Sequence, residues 1–495
     1  MDLRHFQVFL ERGALLSQCT SENYTALIRN GRSIMPNSVH DFSVSKTQPR
    51  SRVHDELLHR SDNSNDYSEW PLFGVTTGEQ QASAICVISI QRHIEGGLMR
   101  NLLAVLACTA AIGWILCQPA HSQTDVNSPD NSHAIPIAAI GVPGTSDANP
   151  FVNFDQARVG PEFHLLFVSS RSSKAVAIFD ALTDTKVGET PAIFAGVGID
   201  SPHSGPDGNV VAGRYLFAGD YPSTVRVFDL GASLTYPPEI AEIQTGGMYR
   251  ADEMDYDPVD EVVVVSNGDS LPAFVTLISS KTLTILQKVV FDGTNGTPDT
   301  SQGGIGSVLY NSRTNKFFIS IPEVGSDLTA GAVAVMVPAT GQVTQIFSGL
   351  DNCMPSGMAL GPGDNVLVTC DPGFPPPDPV QFAPRTYVIN GSTGEILANI
   401  TQVGGVDYGA YNPTDHHYYL GARDFFTSSN PTTASPVLGV INADTNKWIE
   451  NFPTGTDAHS VAVNPVNNQI FVPIENPNPL CGTLPGCVSV FTDAP

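Results

Sequence analysis

Residues 460–473, SVAVNPVNNQIFVP, contain the sequence pattern that decides the fold. Two short apolar runs, 461–463 and 470–472, lie on either side of a polar stretch that contains Asn and Pro. Such a pair of runs predicts two antiparallel strands joined by a turn. The same pattern recurs in residues 409–420, GAYNPTDHHYYL, and in residues 357–368, GMALGPGDNVLV. The chain therefore contains a repeated β-hairpin.

A third apolar strand follows each hairpin, which extends the repeat to seven copies. The third strands are residues 175–180 (AVAIFD), 225–229 (VRVFD), 274–279 (FVTLIS), 332–337 (AVAVMV), 386–390 (TYVIN), 438–442 (LGVIN) and 487–492 (CVSVFT). A repeat of about 50 residues built from short strands is typical of the four-stranded blades of a propeller. We predict an all-β, seven-bladed β-propeller of four-stranded antiparallel blades over residues 130–495.

The two ends of the repeat region indicate how the ring closes. The seventh copy ends after its third strand, whereas an unassigned apolar segment, residues 134–142 (AIPIAAIGV), precedes the first copy. An open sheet edge invites pairing with other chains. We therefore expect this N-terminal segment to be the outer strand of blade seven.

These repeats resemble the YVTN-type repeats of bacterial propellers, which are similar to lactonase-type propellers. Residues 458–465, AHSVAVNP, are the copy with the strongest resemblance, and the likeness extends over about residues 150–492. The resemblance implies the propeller architecture and permits a lactonase-like activity. Likeness of fold alone is weak support for a function.

A signal peptide is predicted in front of the repeats, at residues 99–122. Arg100 precedes an apolar run over residues 102–116, and small residues precede the expected cleavage site after Ser122. A membrane anchor is the competing interpretation, but a run of about 15 residues is short for a bilayer span. We expect a periplasmic or secreted protein with no stable membrane span after cleavage. Residues 1–98 then form either a non-native extension, with Met99 as the initiator, or a disordered extension.

Four cysteines follow the predicted signal peptide, and an even number suits an oxidising compartment. Cys353 and Cys370 flank a Gly/Pro turn almost symmetrically, and Cys481 and Cys487 bracket a short Gly/Pro loop. We predict both pairs as disulfides. A metal site made of all four cysteines is the alternative, although they lack paired CxxC spacing.

The charge of the chain limits its partners. The net charge is −25, from 49 acidic and 24 basic residues. Such a surface repels phosphate backbones, so nucleic acid is not an expected partner. A small molecule or a cation suits the surface better.

Propeller topology predicts where a site would form. In each blade, the loop into the inner strand and the loop after the second strand open on the same face, at the mouth of the central channel. Alignment on the hairpin turns predicts the following residues near the starts of the inner strands: Asp155, His203, Asp252 with Glu253, Gly306, Ser356, Asp407 and His459. The second strands end at Asp220, Asp269, Glu323, Asp371, Asp424 and Glu475.

We predict that His203, Asp252 and His459 bind a divalent metal (Ca, Zn, Mn or Cu), with Glu253 and Asp407 as catalytic acid or base. Arg250 and Arg423 are predicted to hold a substrate anion, with pairing to acids as the alternative. Turn capping is the alternative for the acids at the strand ends. His164, His416 and His417 lie at hairpin turns and are interpreted as structural.

Two functions follow from this site. The first is a metal-dependent enzyme acting on a small molecule, either a lactonase-like hydrolase or a metal-dependent oxidoreductase. The second is a non-catalytic scaffold that binds a ligand or a protein. Convergence of the named side chains on one point would favour the first.

Overall fold

Short, largely apolar strands separated by polar turns form almost all of the described structure. The computed structural model describes residues 42–46, 84–88, 133–160 and 162–494. The chain divides into two units, residues 1–124 and 125–495. In the first unit, β1 (Phe42–Lys46) and β2 (Ala84–Ile88) form an antiparallel ladder. The predicted signal peptide lies outside the described residues.

The second unit contains seven four-stranded antiparallel sheets, as predicted. Its first strand, β3 (His133–Gly141), precedes the first blade in the chain. The blades, each written from its inner strand outward, are β4 (Ala157–Gly160), β5 (Leu165–Ser170), β6 (Ala175–Asp180) and β7 (Thr185–Glu189); β8 (Asn209–Ala212), β9 (Tyr215–Asp220), β10 (Thr224–Asp229) and β11 (Glu239–Gln244); β12 (Met254–Asp257), β13 (Val262–Asn267), β14 (Phe274–Ser279) and β15 (Thr284–Val290); β16 (Val308–Asn311), β17 (Lys316–Ile321), β18 (Ala330–Val337) and β19 (Gln342–Asp351); β20 (Pro355–Leu360), β21 (Asn365–Cys370), β22 (Thr386–Asn390) and β23 (Ile396–Ile400); β24 (Tyr408–Asn412), β25 (His417–Ala422), β26 (Val437–Asn442) and β27 (Lys447–Pro453); and β28 (Ala462–Asn464), β29 (Gln469–Ile474), β30 (Cys487–Ala494) and β3. Two short 3-10 turns, Ser201–His203 and Pro479–Cys481, interrupt the loops.

The inner strands form a closed ring. Each of β4, β8, β12, β16, β20, β24 and β28 contacts the next, and β28 contacts β4 again. Apolar side chains fill the space between blades: Phe317 belongs to the same buried cluster as Val264 of the preceding blade, and Tyr418 to the same cluster as Leu367. Burying one such side chain contributes about 1.5–3 kcal/mol. This packing fixes the positions of the loops at the channel mouth.

Strand β3 closes the ring, which confirms the prediction for the N-terminal segment. It pairs antiparallel with β30, from Ala134 opposite Asp493 to Gly141 opposite Cys487. The first and last described strands of the propeller therefore belong to the same blade.

The turn between the first and second strands explains two of the histidines. His164 and His416 have φ values of 53° and 62°, and each immediately precedes the second strand of its blade. Glu261, Asn315 and Asn468 have the same position and a similar φ. A left-handed residue reverses the chain at this point. The structural interpretation of these two histidines agrees with this geometry.

Both predicted disulfides are present. Cys353 pairs with Cys370, and Cys481 pairs with Cys487. All four cysteines are buried. Disulfides persist in oxidising compartments, so these bonds are consistent with an extracytoplasmic location.

Candidate functional site

Seven equivalent positions surround the channel mouth, each four or five residues before the last residue of its inner strand. In blades one to three they are Asp155, Asp207 and Asp252, whose backbone N–H groups donate to the second strand. The strand registers extend the series to Gly306, Ser356, Asp407 and His459. Six of these seven positions were predicted from sequence. The exception is blade two, where Asp207 lies at the position predicted for His203.

The inner hairpin of blade two accounts for two of the four residues between His203 and Asp207. Only two residues, Gly213 and Arg214, separate β8 from β9, whereas four separate the corresponding strands of the other blades. The motif Pro202-His203-Ser204 also resembles Ala458-His459-Ser460, which favours the wrong alignment. Counting back five residues from the end of the inner strand identifies Asp207 from Ala212, just as it identifies Asp155 from Gly160.

Asp155, Asp207 and Asp252 form one buried group of carboxylates. Each offers one oxygen atom, and these three atoms lie within 4.8 Å of one another. Two arginines contact the same carboxylates. Arg171 Nη2 lies 2.6 Å from Asp207 Oδ1 and also pairs with Asp155, while Arg250 Nη2 lies 2.7 Å from Asp252 Oδ2.

The arginines leave part of this group unsatisfied. Asp207 Oδ2 and Asp252 Oδ1 are buried and have no hydrogen-bond partner in the described part of the chain. Burial raises the pKa of Asp207 to about 7, and burial beside Asp155 and Asp207 raises that of Asp252 well above its usual value. Burial opposes ionisation of Asp155 too, but Arg171 and Arg250 outweigh it and lower its pKa. A buried carboxylate oxygen without a partner is costly, and a bound cation or a proton would satisfy it.

Glu253 lies beside this group and is also buried. Burial, followed by the charges of Asp252 and Asp407, raises its pKa well above the usual value. Tyr408 opposes part of this rise, and its hydroxyl donates to Asp155 Oδ1 over 3.1 Å. Asp407, the other predicted catalytic residue, accepts a 2.7 Å hydrogen bond from Ser356.

Arg423 organises a second group of acids at the mouth. Its guanidinium nitrogens lie 3.3 Å from Asp371 and Asp407, 3.5 Å from Asp457 and 3.6 Å from Asp424. The Arg423 side chain is 31% exposed, compared with 15% for Arg250. Both predicted substrate-binding arginines therefore pair with acids, and Arg423 is the more accessible of the two.

His459 lies next to the Arg423 group. Its ring stacks on Phe154 with centroids 4.4 Å apart, and its Nδ1 lies 2.8 Å from the carbonyl oxygen of Asp457. Burial opposes its protonation, but the Asp457 carboxylate outweighs burial and raises the pKa of His459. His459 does not belong to the group formed by Asp155, Asp207 and Asp252.

His203 lies apart from the seven equivalent positions. It ends the 3-10 turn Ser201–His203, its Nδ1 lies 2.5 Å from Asp200 Oδ1, and its ring contacts Tyr221 and Tyr249. It belongs to neither of the groups of candidate metal ligands found among the described residues. Of the three predicted ligands, Asp252 alone lies in such a group, and the ligand roles of both histidines stay predictions.

The acids at the ends of the second strands have different roles. Asp220 accepts hydrogen bonds from the backbone N–H groups of Ala195 and Tyr221 and pairs with Arg226, which is the turn-capping arrangement. Glu475 instead has a pKa raised to about 8 by burial and by Asp457. Turn capping therefore accounts for Asp220, whereas Glu475 carries a perturbed carboxyl group near the mouth.

Sequence reasoning missed Arg171 and Tyr408. Arg171 follows the second strand of blade one, at the position where Asp371, Arg423 and Glu475 follow theirs. The sequence signal is a basic residue where most copies end in an acid. Tyr408 follows Asp407 directly, but its contact with Asp155 of another blade has no signal in the local sequence.

Comparisons with known proteins add the following. No family model and no curated protein matches the chain. Among solved structures, the chain is similar to the structure entitled Kuenenia stuttgartiensis hydrazine synthase, with 17% identity and a TM-score of 0.49, over 67% of this chain and 95% of that one. This likeness says nothing about function. The propeller architecture is thus established from the strands themselves, while kinship with YVTN-type or lactonase-type propellers stays a prediction.

No helix among the described residues has the length and apolar character needed to span a membrane.

Proposed function

We propose that this exported propeller is a divalent-metal-dependent enzyme that hydrolyses a small carbonyl compound of the lactone or ester type at the channel mouth. Asp155, Asp207 and Asp252 hold the cation in this proposal. The observation that carries it is the pair of buried, unpartnered oxygens, Asp207 Oδ2 and Asp252 Oδ1, in a group of three converging carboxylates.

The donor set suits a hard cation. All three side chains offer carboxylate oxygen, which is typical of Ca²⁺, Mg²⁺ and Mn²⁺ sites. A bound divalent cation would polarise a carbonyl oxygen or acidify a water molecule. This assignment replaces two of the three predicted ligands, because Asp155 and Asp207 take the places of His203 and His459.

Glu253 supplies the proton transfer. A buried carboxyl group with a raised pKa accepts and returns a proton near neutral pH more readily than an ordinary glutamate. The Tyr408 hydroxyl donates to Asp155 and lies near Glu253, so it links the proton-transfer residue to the carboxylate group. Asp407 lies near Glu253 and keeps its proton affinity high.

Arg423 is the residue best placed to contact the substrate. Its four contacts with acids are all 3.3 Å or longer, and its side chain is partly exposed. A guanidinium group in this setting can exchange one carboxylate for the carbonyl or carboxylate of a small molecule. Arg250 is held more tightly and keeps the carboxylates of Asp155, Asp252 and Asp269 in place.

A non-catalytic scaffold is the second candidate, and one observation favours it. Arg171 and Arg250 already neutralise part of the carboxylate group, which can then serve only to join neighbouring blades. A permanent ion-pair network of this kind needs no cation.

The two candidates differ in metal content and activity. The purified protein is dialysed against chelator, titrated calorimetrically with CaCl₂ or MnCl₂, and assayed with a panel of lactones and aryl esters. We expect Asp207→Asn and Asp252→Asn to lose one equivalent of cation, and Glu253→Gln to keep the cation but lose at least about 100-fold in rate.

Asp255→Asn is the matched control, because Asp255 is a buried acid of blade three that pairs with Arg158 outside the group. It should keep full cation binding. If Asp207→Asn and Asp252→Asn bind as much cation as the parent protein, the metal assignment is wrong. If the cation binds and no ester or lactone is hydrolysed, the scaffold is the better description.

A further inference from the structure

A second group of possible ligands lies far from the channel mouth, between blades six and seven. Asp415 and His417 belong to the inner hairpin of blade six, and Asp493 lies near the end of β30 in blade seven. Each offers one ligand atom, and the three atoms lie within 4.8 Å of one another. The position is the opposite end of the strands from the mouth, because the hairpin turn and the end of β30 lie there.

Asp493 provides an independent indication of a ligand. Its side chain is only 4% exposed, and its Oδ1 has no hydrogen-bond partner within the part of the chain that the structure describes. Its other oxygen, Oδ2, lies 2.5 Å from His417 Nδ1 and accepts a 3.0 Å hydrogen bond from the Tyr419 hydroxyl. The same hydroxyl lies 2.7 Å from Asp415 Oδ2. The side chain is therefore held in place, with one buried oxygen left unsatisfied.

We propose that Asp415, His417 and Asp493 form a binding site for a first-row divalent metal ion such as Zn²⁺. The donor set differs from that of the mouth because it contains an imidazole, and two carboxylates with one imidazole suit Zn²⁺ better than Ca²⁺ or Mg²⁺. Zn²⁺ takes nitrogen and oxygen ligands at about 2.0–2.2 Å in a tetrahedral arrangement, which holds neighbouring donor atoms roughly 3.3–3.6 Å apart. The 2.5 Å contact between His417 and Asp493 then opens by about 1 Å, and any proton in it is released.

The position gives the metal a structural role. Asp493 lies on β30 directly opposite Ala134 of β3, the strand that closes the ring. The Ala134 N–H also donates to Glu450 of blade six over 2.5 Å. A metal held by Asp415, His417 and Asp493 therefore ties the closing blade to its neighbour. Metal ions that bind only the folded state stabilise it by mass action.

The site does not depend on the proposed function, and the experiment separates the two. The purified full chain is freed of metal with chelator, and ZnCl₂ binding is measured by calorimetry and by metal analysis after gel filtration. The same samples are melted with and without ZnCl₂. We expect the parent protein to hold a Zn²⁺ equivalent at this site, with a thermal midpoint several degrees above that of the metal-free form.

The variants His417→Gln and Asp493→Asn should each lose that equivalent and the thermal shift. His416→Gln is the matched control, because His416 is the adjacent histidine, is half-exposed and pairs with Asp444 instead. His416→Gln should bind the same amount of Zn²⁺ as the parent and show the same thermal shift. The mouth variant Asp207→Asn should also bind Zn²⁺ at this site as the parent does.

Two results would overturn the proposal. One is a parent protein that takes up no Zn²⁺, and the other is an equal uptake by His417→Gln, Asp493→Asn and the parent. If His417→Gln fails to fold, Asp493→Asn decides the question, since Asn has the same size and keeps one oxygen. Loss of Ca²⁺ binding by Asp207→Asn with Zn²⁺ binding intact shows that the two sites are separate.

Discussion

Arg171 Nη2 lies 2.6 Å from Asp207 Oδ1 in an ion pair that joins blade one to blade two. The Arg171 side chain is 6% exposed and that of Asp207 is fully buried. Removing one partner of a buried pair leaves an uncompensated charge, which typically costs about 3–5 kcal/mol. We expect Arg171→Met to lower the free energy of unfolding by about this amount in denaturant titrations.

The control for this variant is Arg214→Met. Arg214 pairs with Asp229, but its side chain is 58% exposed. Exposed pairs contribute little. Equal destabilisation by the two substitutions would contradict a special role for the buried pair. If the carboxylate group also binds a cation, CaCl₂ should restore part of the stability of Arg171→Met and none of that of Arg214→Met.

Glu475 makes stability depend on pH. Burial, followed by the charge of Asp457, raises its pKa to about 8, compared with about 4.5 for an ordinary glutamate. Between these values the folded state binds more protons than the unfolded state, so stability falls as pH rises. The substitution Glu475→Gln removes this pH-dependent contribution to the free energy of unfolding. We expect the variant to melt at the same temperature as the parent at pH 4.5 and roughly 3–6 °C higher at pH 8.

Glu261→Gln is the comparison for the pH experiment, because Glu261 is a half-exposed acid of blade three that pairs with Lys281 away from the mouth. Its melting curves should keep the pH dependence of the parent protein between pH 4.5 and pH 8. If the melting temperatures of Glu475→Gln and the parent differed by the same amount at every pH, Glu475 would be ionised in the folded protein throughout this range.

Much of this fold can be predicted from sequence because each blade repeats the same local pattern of apolar strands and polar turns. Ala462 and Val463 pair with Phe471 and Ile470, and the turn between the two strands follows from its Asn and Pro residues. The closing strand was predictable for the same reason, since the seventh copy lacked its fourth strand. Cysteine spacing around a hairpin turn was enough for both disulfides.

The site was harder to predict because it depends on register and on contacts between blades. In blade two, a turn two residues shorter than the others and a motif that resembles the one around His459 favour His203, whereas Asp207 lies at the equivalent position. Contacts such as that of the Tyr408 hydroxyl with Asp155 span 253 residues of sequence. Such contacts follow from ring closure rather than from any local pattern. The same holds for His417, whose contact with Asp493 crosses from blade six to blade seven.

The disulfides should differ in their contribution to stability. Cys353 and Cys370 are 17 residues apart, and Cys481 and Cys487 are 6 apart. A cross-link restricts the unfolded chain more when it closes a longer loop, which gives about 3 kcal/mol for the first and about 2 kcal/mol for the second. We expect Cys353→Ser/Cys370→Ser to lower the free energy of unfolding more than Cys481→Ser/Cys487→Ser. The reverse order would indicate that strain or residual structure dominates.

Strand β3 should be indispensable to the propeller because it covers the edge of β30. Without it, β30 presents unpaired backbone N–H and C=O groups, and such an edge pairs with other chains. A chain of residues 125–495 should fold as a monomer with one cooperative transition. A chain of residues 142–495 should melt at a lower temperature and elute as larger species in gel filtration.

A synthetic peptide of residues 133–141 should restore the monomer, because an added strand can complete an open sheet. A peptide with the same composition in scrambled order is the control, since it lacks the register from Ala134 opposite Asp493 to Gly141 opposite Cys487. If residues 142–495 fold and melt like 125–495, closure through β3 contributes little and the seven blades are held by their inner ring alone.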